Sequence, residues 1–295
     1  MQKILITGAN GFVAHYIIRE LAGKNFKVIA TGRDGSKWPQ NDPSFLFETL
    51  DFTNKEAVEI LFQKHQPEFV IHCGAISKPD ECEANREAAF RTNVTGTLNL
   101  LDAAEASQSF FLFLSTDFVF EGKSLSYKED DERNPVNYYG QTKLLAEDEV
   151  MKYPFAWSIV RTILVYGKTY NSRQNLVTST AMSLKKGERP RIFNDQTRTP
   201  TFVEDLARAI VSIVEKKAAG IFHISGTDVR TPYEMAVAVA EYLGMSADLI
   251  EKITEKDLKQ PAKRPPVTGF DISKARRLLF YEPTSFESGL KKTLE

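Results

Sequence analysis

Cysteine is nearly absent. The 295 residues hold two, Cys73 and Cys82, too few for a disulfide framework and without the paired spacing of a zinc site. The four histidines, His15, His65, His72 and His223, show no metal-ligand spacing, so no metal is expected and all four read as structural or exposed. No apolar run approaches the roughly 20 residues that a membrane helix needs. Neither sign of charge dominates: 38 Lys and Arg face 39 Asp and Glu, a net charge of −1. That balance excludes the basic footprint of a nucleic-acid binder and the acidic tail of a solvating chain. The start, "MQKILITG", lacks the charged segment, long apolar run and cleavage site of a secretory signal. A cytoplasmic protein with a small-molecule partner is expected, with neither nucleic acid nor membrane, and a homodimer is left open.

What is present is alternation. Short apolar runs at 3–8, 27–31, 69–74, 110–115 and 157–162 alternate with helix-like segments at 12–23, 54–65, 83–107 and 138–151. Apolar strands joined by helical crossovers imply a parallel sheet buried on both faces. The fold class expected is α/β, a Rossmann-like doubly wound parallel sheet with a smaller C-terminal substrate-binding lobe. A helix at 203–217 and a strand at 220–225 return to the sheet, and an amphipathic helix follows near 232–243. Residues 1–167 with about 200–225 are therefore assigned to the dinucleotide-binding domain, and 168–199 with 226–295 to the second lobe.

The first strand runs into "TGANGFVAHYIIREL". Gly8 suits a tight turn, Gly11 lets a phosphate approach the backbone, and Ala14 keeps the helix close to the strand. The helix start offers free N–H groups to a pyrophosphate, and Asn10, Phe12 and Val13 belong to the same candidate cofactor site. An NAD site usually ends its second strand in an acid that holds the ribose. Here Gly32 and Arg33 stand there, and a guanidinium favours a 2′-phosphate. NADP(H) is thus expected, with NAD(H) as the alternative. Asp51, beside Phe52, either accepts from the adenine amino group or serves as an N-cap neighbour.

"FLSTDFVF" puts Thr116 at the carboxyl end of a strand, where open α/β sheets bind ligands. Next comes "NPVNYYGQTKLLAE", 134–147. A phenol with its ordinary pKa near 10 is a poor acid–base group at neutral pH, and a nearby ammonium favours its ionised form. Residues four apart on a helix lie about 40° from each other, five apart about 140°. Tyr139, not Tyr138, can share a face with Lys143.

Gly8-x-x-Gly11-x-x-Ala14, "STD" at 115–117 and Tyr139-x-x-x-Lys143 resemble the extended short-chain dehydrogenase/reductase superfamily. Within it, "STDFVFEG", "VRTILVYG", "FNDQTRTPTFVEDLA" and "KRPPVTGFDISKARRL" are similar to the dTDP-4-dehydrorhamnose reductase family. The resemblance implies NADPH-dependent reduction of a keto group on a nucleotide-activated sugar, with Thr116, Tyr139 and Lys143 as the catalytic triad. It also implies that Lys143 holds the nicotinamide ribose, and that Gly74, Ala75, Ile76 and Asn93 add cofactor contacts. Alternatives on the same scaffold are an NAD(P)-dependent epimerase or dehydratase, or a non-catalytic NADP-binding regulatory subunit.

The sequence departs from that family in the second lobe. A glycine usual before the Pro-Thr pair is replaced by Arg198 and Thr199, and Val267, Thr268 and Gly269 follow "RPP". Arg198, by likeness to other sugar-nucleotide enzymes, is expected to grip substrate phosphate, with Arg264 beside it. Arg161 either orients substrate or pairs with a carboxylate. Asp117 reads as a turn-forming aspartate.

Overall fold

The computed structural model describes residues 1–36, 38, 44–170 and 174–295. The first half runs β1 (Gln2–Thr7), α1 (Phe12–Leu21), β2 (Phe26–Gly32), β3 (Phe45–Thr49), α2 (Lys55–His65), β4 (Phe69–His72), α3 (Pro79–Ala84), α4 (Arg86–Phe90), α5 (Gly96–Ala106), β5 (Phe110–Thr116), β6 (Lys123–Tyr127), α6 (Tyr138–Lys152) and β7 (Trp157–Thr162). The second half follows with β8 (Val165–Tyr166), α7 (Leu176–Lys185), β9 (Arg191–Phe193), β10 (Thr197–Arg198), β11 (Thr201–Phe202), α8 (Val203–Lys216), β12 (Gly220–Ile224), α9 (Pro232–Tyr242), β13 (Glu251–Ile253), β14 (Val267–Phe270), α10 (Ser273–Leu279) and α11 (Phe286–Leu294).

Seven strands pair in the order β12-β7-β5-β4-β1-β2-β3, every neighbour parallel. The order reverses between β1 and β4, and a crevice opens at such a switch point. Ile4, Leu5, Ile6, Val70, Ile71, Phe111 and Leu112 are wholly inaccessible to solvent, as expected of strands covered on both faces. One core unites Ile4, Ile6 and Leu112 with α1 and α8; the other unites Leu5, Val70 and Phe111 with α2, α5 and α6. The doubly wound expectation is met.

Two features depart from the expected organisation. The single helix anticipated over 83–107 is broken. Asn85 leaves helical geometry at φ −139°, ψ 78° and its side chain caps α4 by accepting from Ala88 N. The five residues Arg91–Thr95 then widen into a π-turn before α5, a device found often at functional sites. The segments expected to form a second lobe also mix with the first half. β6 pairs with β14, which pairs with β10, whereas α10 contributes Ala275 and Leu279 to the sheet's own core. A separate core gathers Tyr166, Val177, Leu184, Phe202, Met235, Val239 and Phe286.

Arg161 settles between its two expected roles by pairing with a carboxylate. It lies in β7 with 1% of its surface exposed, and Nε and Nη2 donate to the two Glu147 oxygens at 3.0 and 2.8 Å. Ser115 Oγ and Arg133 Nη1 also donate to Glu147. A buried pair is strongly destabilised when one partner is lost, because the other charge is left without compensation. Arg161→Ala is expected to lower unfolding free energy by about 3–5 kcal/mol, measured as a lower urea midpoint at unchanged slope.

Candidate active site

The crevice at the switch point begins with backbone meeting backbone. Gly8 adopts φ +67°, and a Cβ there would stand 2.9 Å from Gly74 Cα. Gly11 N donates to Gly8 O at 2.7 Å, closing the turn. α1 starts at Gly11 without a side-chain cap or an acidic residue in its first turn. Its free N–H groups and positive dipole are open to an anion. On the far wall, a Cβ at Gly74 would come within 2.5 Å of the Phe52 ring. These residues fit a dinucleotide: the cradle is glycine where a pyrophosphate must touch backbone, and a side chain would fill it.

A cavity of about 300 Å³ follows, lined by Gly8, Asn10, Gly11, Arg33, Asp51, Phe52, Gly74, Ala75 and Ile76. Asp51 faces this cavity, and its Oδ1 accepts from Thr53 N and Oγ1 at 2.9 and 2.8 Å just before α2. Burial pushes its carboxyl up, but the Thr53 bonds and the Arg33 and Arg91 guanidinium charges bring it below its ordinary value. Arg91 and Thr92, from the π-turn, also line the cavity; a polar pair inside a helical pattern gives no sequence signal for that. Asn93 lies behind the wall. Its Oδ1 accepts from Ile76 N at 2.8 Å, and its Nδ2 donates to Ile76 O and Thr142 Oγ1, both at 3.0 Å. It positions the Ile76 backbone and does not line the cavity, a different place from the cofactor contact expected.

Gly8, Gly11, Cys73 and Ala75 also line a second cavity of about 410 Å³, with Phe12, Val13, Thr116, Asp117, Tyr139 and Lys143. α6 delivers Tyr139 and Lys143. Asn137 caps it, its Oδ1 accepting from Gly140 N at 2.9 Å. Gly140 then packs directly under the Phe118 carbonyl, leaving no room for a Cβ. That contact draws Tyr139 to the end of β5, where it lines the same cavity as Thr116. Tyr138 turns away beneath the Arg86 guanidinium, 4.9 Å from its ring centroid. Of the two tyrosines, Tyr139 is the one that lines a cavity with Lys143, as the helical phase requires.

The tuning of the phenol differs from expectation. Lys143 Nζ donates to Leu114 O at 2.7 Å and sits 3.7 Å over the Phe113 ring. Burial pushes this ammonium down to about 7, against the opposing pull of Glu147. The Tyr139 phenol is governed by other groups: burial raises it, the Thr116 bond lowers it, and Asp117 and Cys82 raise it further. The phenol is therefore held in its protonated form.

Two expected substrate ligands are committed elsewhere. Arg198 is 4% exposed. It donates to Thr197 O at 2.8 Å, Pro266 O at 3.3 Å and Pro265 O at 2.5 Å, and its Nε lies 3.8 Å from Asp117 Oδ2. Arg264 forms a fork with Asp80 of α3, both bonds 2.8 Å. Neither lines the larger cavity. Three of the five guanidinium donors of Arg198 go to backbone carbonyls, and three of Arg264 go to Asp80 and the Ala262 carbonyl. Ser77, Lys78, Gln174 and Asn175 also line the larger cavity, and none belongs to a motif that could have marked it.

Gly8→Ala should strain the turn by about 1–2 kcal/mol and press a methyl group onto Gly74. Titration calorimetry with NADPH should show affinity at least ~10-fold weaker; unchanged affinity would remove the dinucleotide from this turn.

Comparison with known proteins agrees with this geometry. The mouse methionine adenosyltransferase 2 subunit beta is 30% identical over 299 residues, covering 99% of this chain and 87% of its own. The crystal structure of a dTDP-4-dehydrorhamnose reductase from Clostridium acetobutylicum superposes with a TM-score of 0.85 at 31% identity, covering 99% of this chain and 98% of that one. A Bacillus anthracis dTDP-4-dehydrorhamnose reductase in complex with NADP gives a TM-score of 0.88 at 27% identity, covering 100% and 99%. The family described as the RmlD substrate binding domain matches residues 1–295, and the chain belongs to that family of the extended short-chain dehydrogenases/reductases.

Proposed function

We propose that the protein reduces a keto group on a nucleotide-activated sugar and prefers NADPH. The observation that carries this reading is that Thr116, Tyr139 and Lys143 line one cavity continuous with the glycine-turn crevice. Gly8, Gly11, Phe52 and Gly74 would hold the dinucleotide, which would supply a hydride to the keto carbon. Arg33, beside Gly32 at the end of β2, gives the 2′-phosphate a guanidinium partner. Tyr139, held protonated by burial, hands its proton to the alkoxide as charge develops there. Thr116 orients the carbonyl from the adjacent strand end, and Lys143 holds the ribose. Residues 1–167 with 200–225 bind the dinucleotide in this reading, and 168–199 with 226–295 close over the sugar. Its likeness to two reductases supports the assignment.

A second reading, a non-catalytic NADP-binding subunit of another enzyme, is favoured by the likeness to a methionine adenosyltransferase subunit. The two readings separate on turnover. A panel of nucleotide-linked keto sugars with NADPH should give turnover in the wild type. Tyr139→Phe should lose at least ~100-fold of it while binding NADPH as before; near-normal turnover in that variant would remove Tyr139 as the acid. Arg33→Ala should raise the KM for NADPH by ~10-fold or more, about one charged phosphate contact, and that for NADH little. An equal rise for both would refute the NADPH preference.

A further inference from the structure

The cofactor crevice carries a second arginine. Among the described residues that line the smaller cavity, four are charged: Arg33 and Asp34 just after β2, Asp51 after β3, and Arg91 from the π-turn. Neither Arg33 nor Arg91 makes a hydrogen bond or ion pair with another described residue. Their guanidinium forks are open, whereas those of Arg198 and Arg264 are largely engaged.

Contacts that hold the π-turn in place put Arg91 there. Asn93, inside the turn, is 1% exposed, and its carboxamide bonds both the N–H and the carbonyl of Ile76. Its own carbonyl accepts from Thr97 Oγ1 at 2.7 Å. Gly96, which closes the turn, lies against the Phe52 ring, and a Cβ there would stand 2.5 Å from it. Three residues on, Asn99 Nδ2 donates to Phe52 O at 3.1 Å. The Asp51–Phe52 backbone and the turn are thus packed together, and Arg91 is carried into the wall that Asp51 faces.

Charge indicates what Arg91 serves. Arg33, Asp34 and Asp51 alone leave one negative charge in excess on this wall, and a phosphate monoester brings roughly −1.5 to −2 more at neutral pH. One guanidinium against two carboxylates makes a poor phosphate site. A second brings the wall to neutrality and adds its own fork of donors. Burial raises the Asp51 carboxyl, but the Thr53 bonds and both arginines bring it below its ordinary value, so the two guanidiniums already act on one anion. We propose that Arg91 is a specificity-determining residue for the cofactor, a second guanidinium that joins Arg33 in receiving the phosphate on the adenosine 2′-position. The inference rests on the NADPH preference proposed above and names the residue that completes it.

Titration calorimetry on the full chain tests this without turnover, with adenosine 2′,5′-bisphosphate and 5′-AMP as probes. The wild type should bind the bisphosphate more tightly than the monophosphate. Arg91→Ala should weaken the bisphosphate by about 10-fold, the loss of one charged hydrogen bond, and leave 5′-AMP nearly unchanged. Arg91 is exposed, so its truncation spares the fold, and retained 5′-AMP binding checks that. Arg91→Lys keeps the charge without the planar fork and should recover part of the loss. An equal loss for both probes would assign Arg91 to the adenine or to Asp51, and an unchanged bisphosphate affinity would leave Arg33 alone in the role; either result overturns the proposal. The underlying reading fails in a different way. A wild type that binds both probes equally removes the 2′-phosphate from this wall and the proposal with it. A preference lost in Arg33→Ala but kept in Arg91→Ala leaves the NADPH reading standing and removes Arg91.

Discussion

Backbone meets backbone at Gly8 and Gly74, and the site depends on that approach. The two strands on either side of the sheet's reversal carry these residues at their carboxyl ends. A side chain at either position would fill the crevice, Gly8 against Gly74 and Gly74 against Phe52. Keeping both bare leaves a floor of peptide groups, next to a helix start whose N–H groups have no side-chain partner. The open floor of peptide groups follows from this single steric condition.

Buried charge organises the end of the crevice that holds Thr116, Tyr139 and Lys143. Two carboxylates, Glu147 and Asp117, lie near these residues, and each is paired with a buried arginine. Glu147 ties α6 to β7 through Arg161 and to β5 through Ser115. Asp117 ties the end of β5 to the second lobe through Thr268 and Arg198. Isolated, either carboxylate would cost several kcal/mol to bury; paired and hydrogen-bonded, each becomes a fixed point. Thr116 and Tyr139 sit between those points, and Lys143 turns to the Leu114 carbonyl.

The sheet was legible because its signal is local. Strands such as "KILIT" and "FVIH" carry unbroken apolar cores, Ile4–Ile6 and Phe69–Ile71, as burial on both faces requires. The choice of Tyr139 over Tyr138 was legible for the same reason, since four residues of helix fix a face whatever surrounds it. The break at Asn85 was not, because an asparagine inside a helical pattern only becomes a cap once its side chain finds Ala88 N. α7 was missed too: "LVTSTAMSLK" mixes hydroxyls into its apolar face, and its capping box becomes visible only in the folded chain.

The sequence by itself determined the α/β class, the glycine turn and the tyrosine–lysine phase, each set by contacts within a few residues. Tertiary structure decided where the charged side chains go. Arg198 finds Pro265 and Pro266 in place of a substrate phosphate, Arg264 finds Asp80, and Asp117 finds Thr268, each partner far along the chain. A long charged side chain takes whichever partner desolvates it at least cost, and which partners are in reach is known only once the chain has closed on itself.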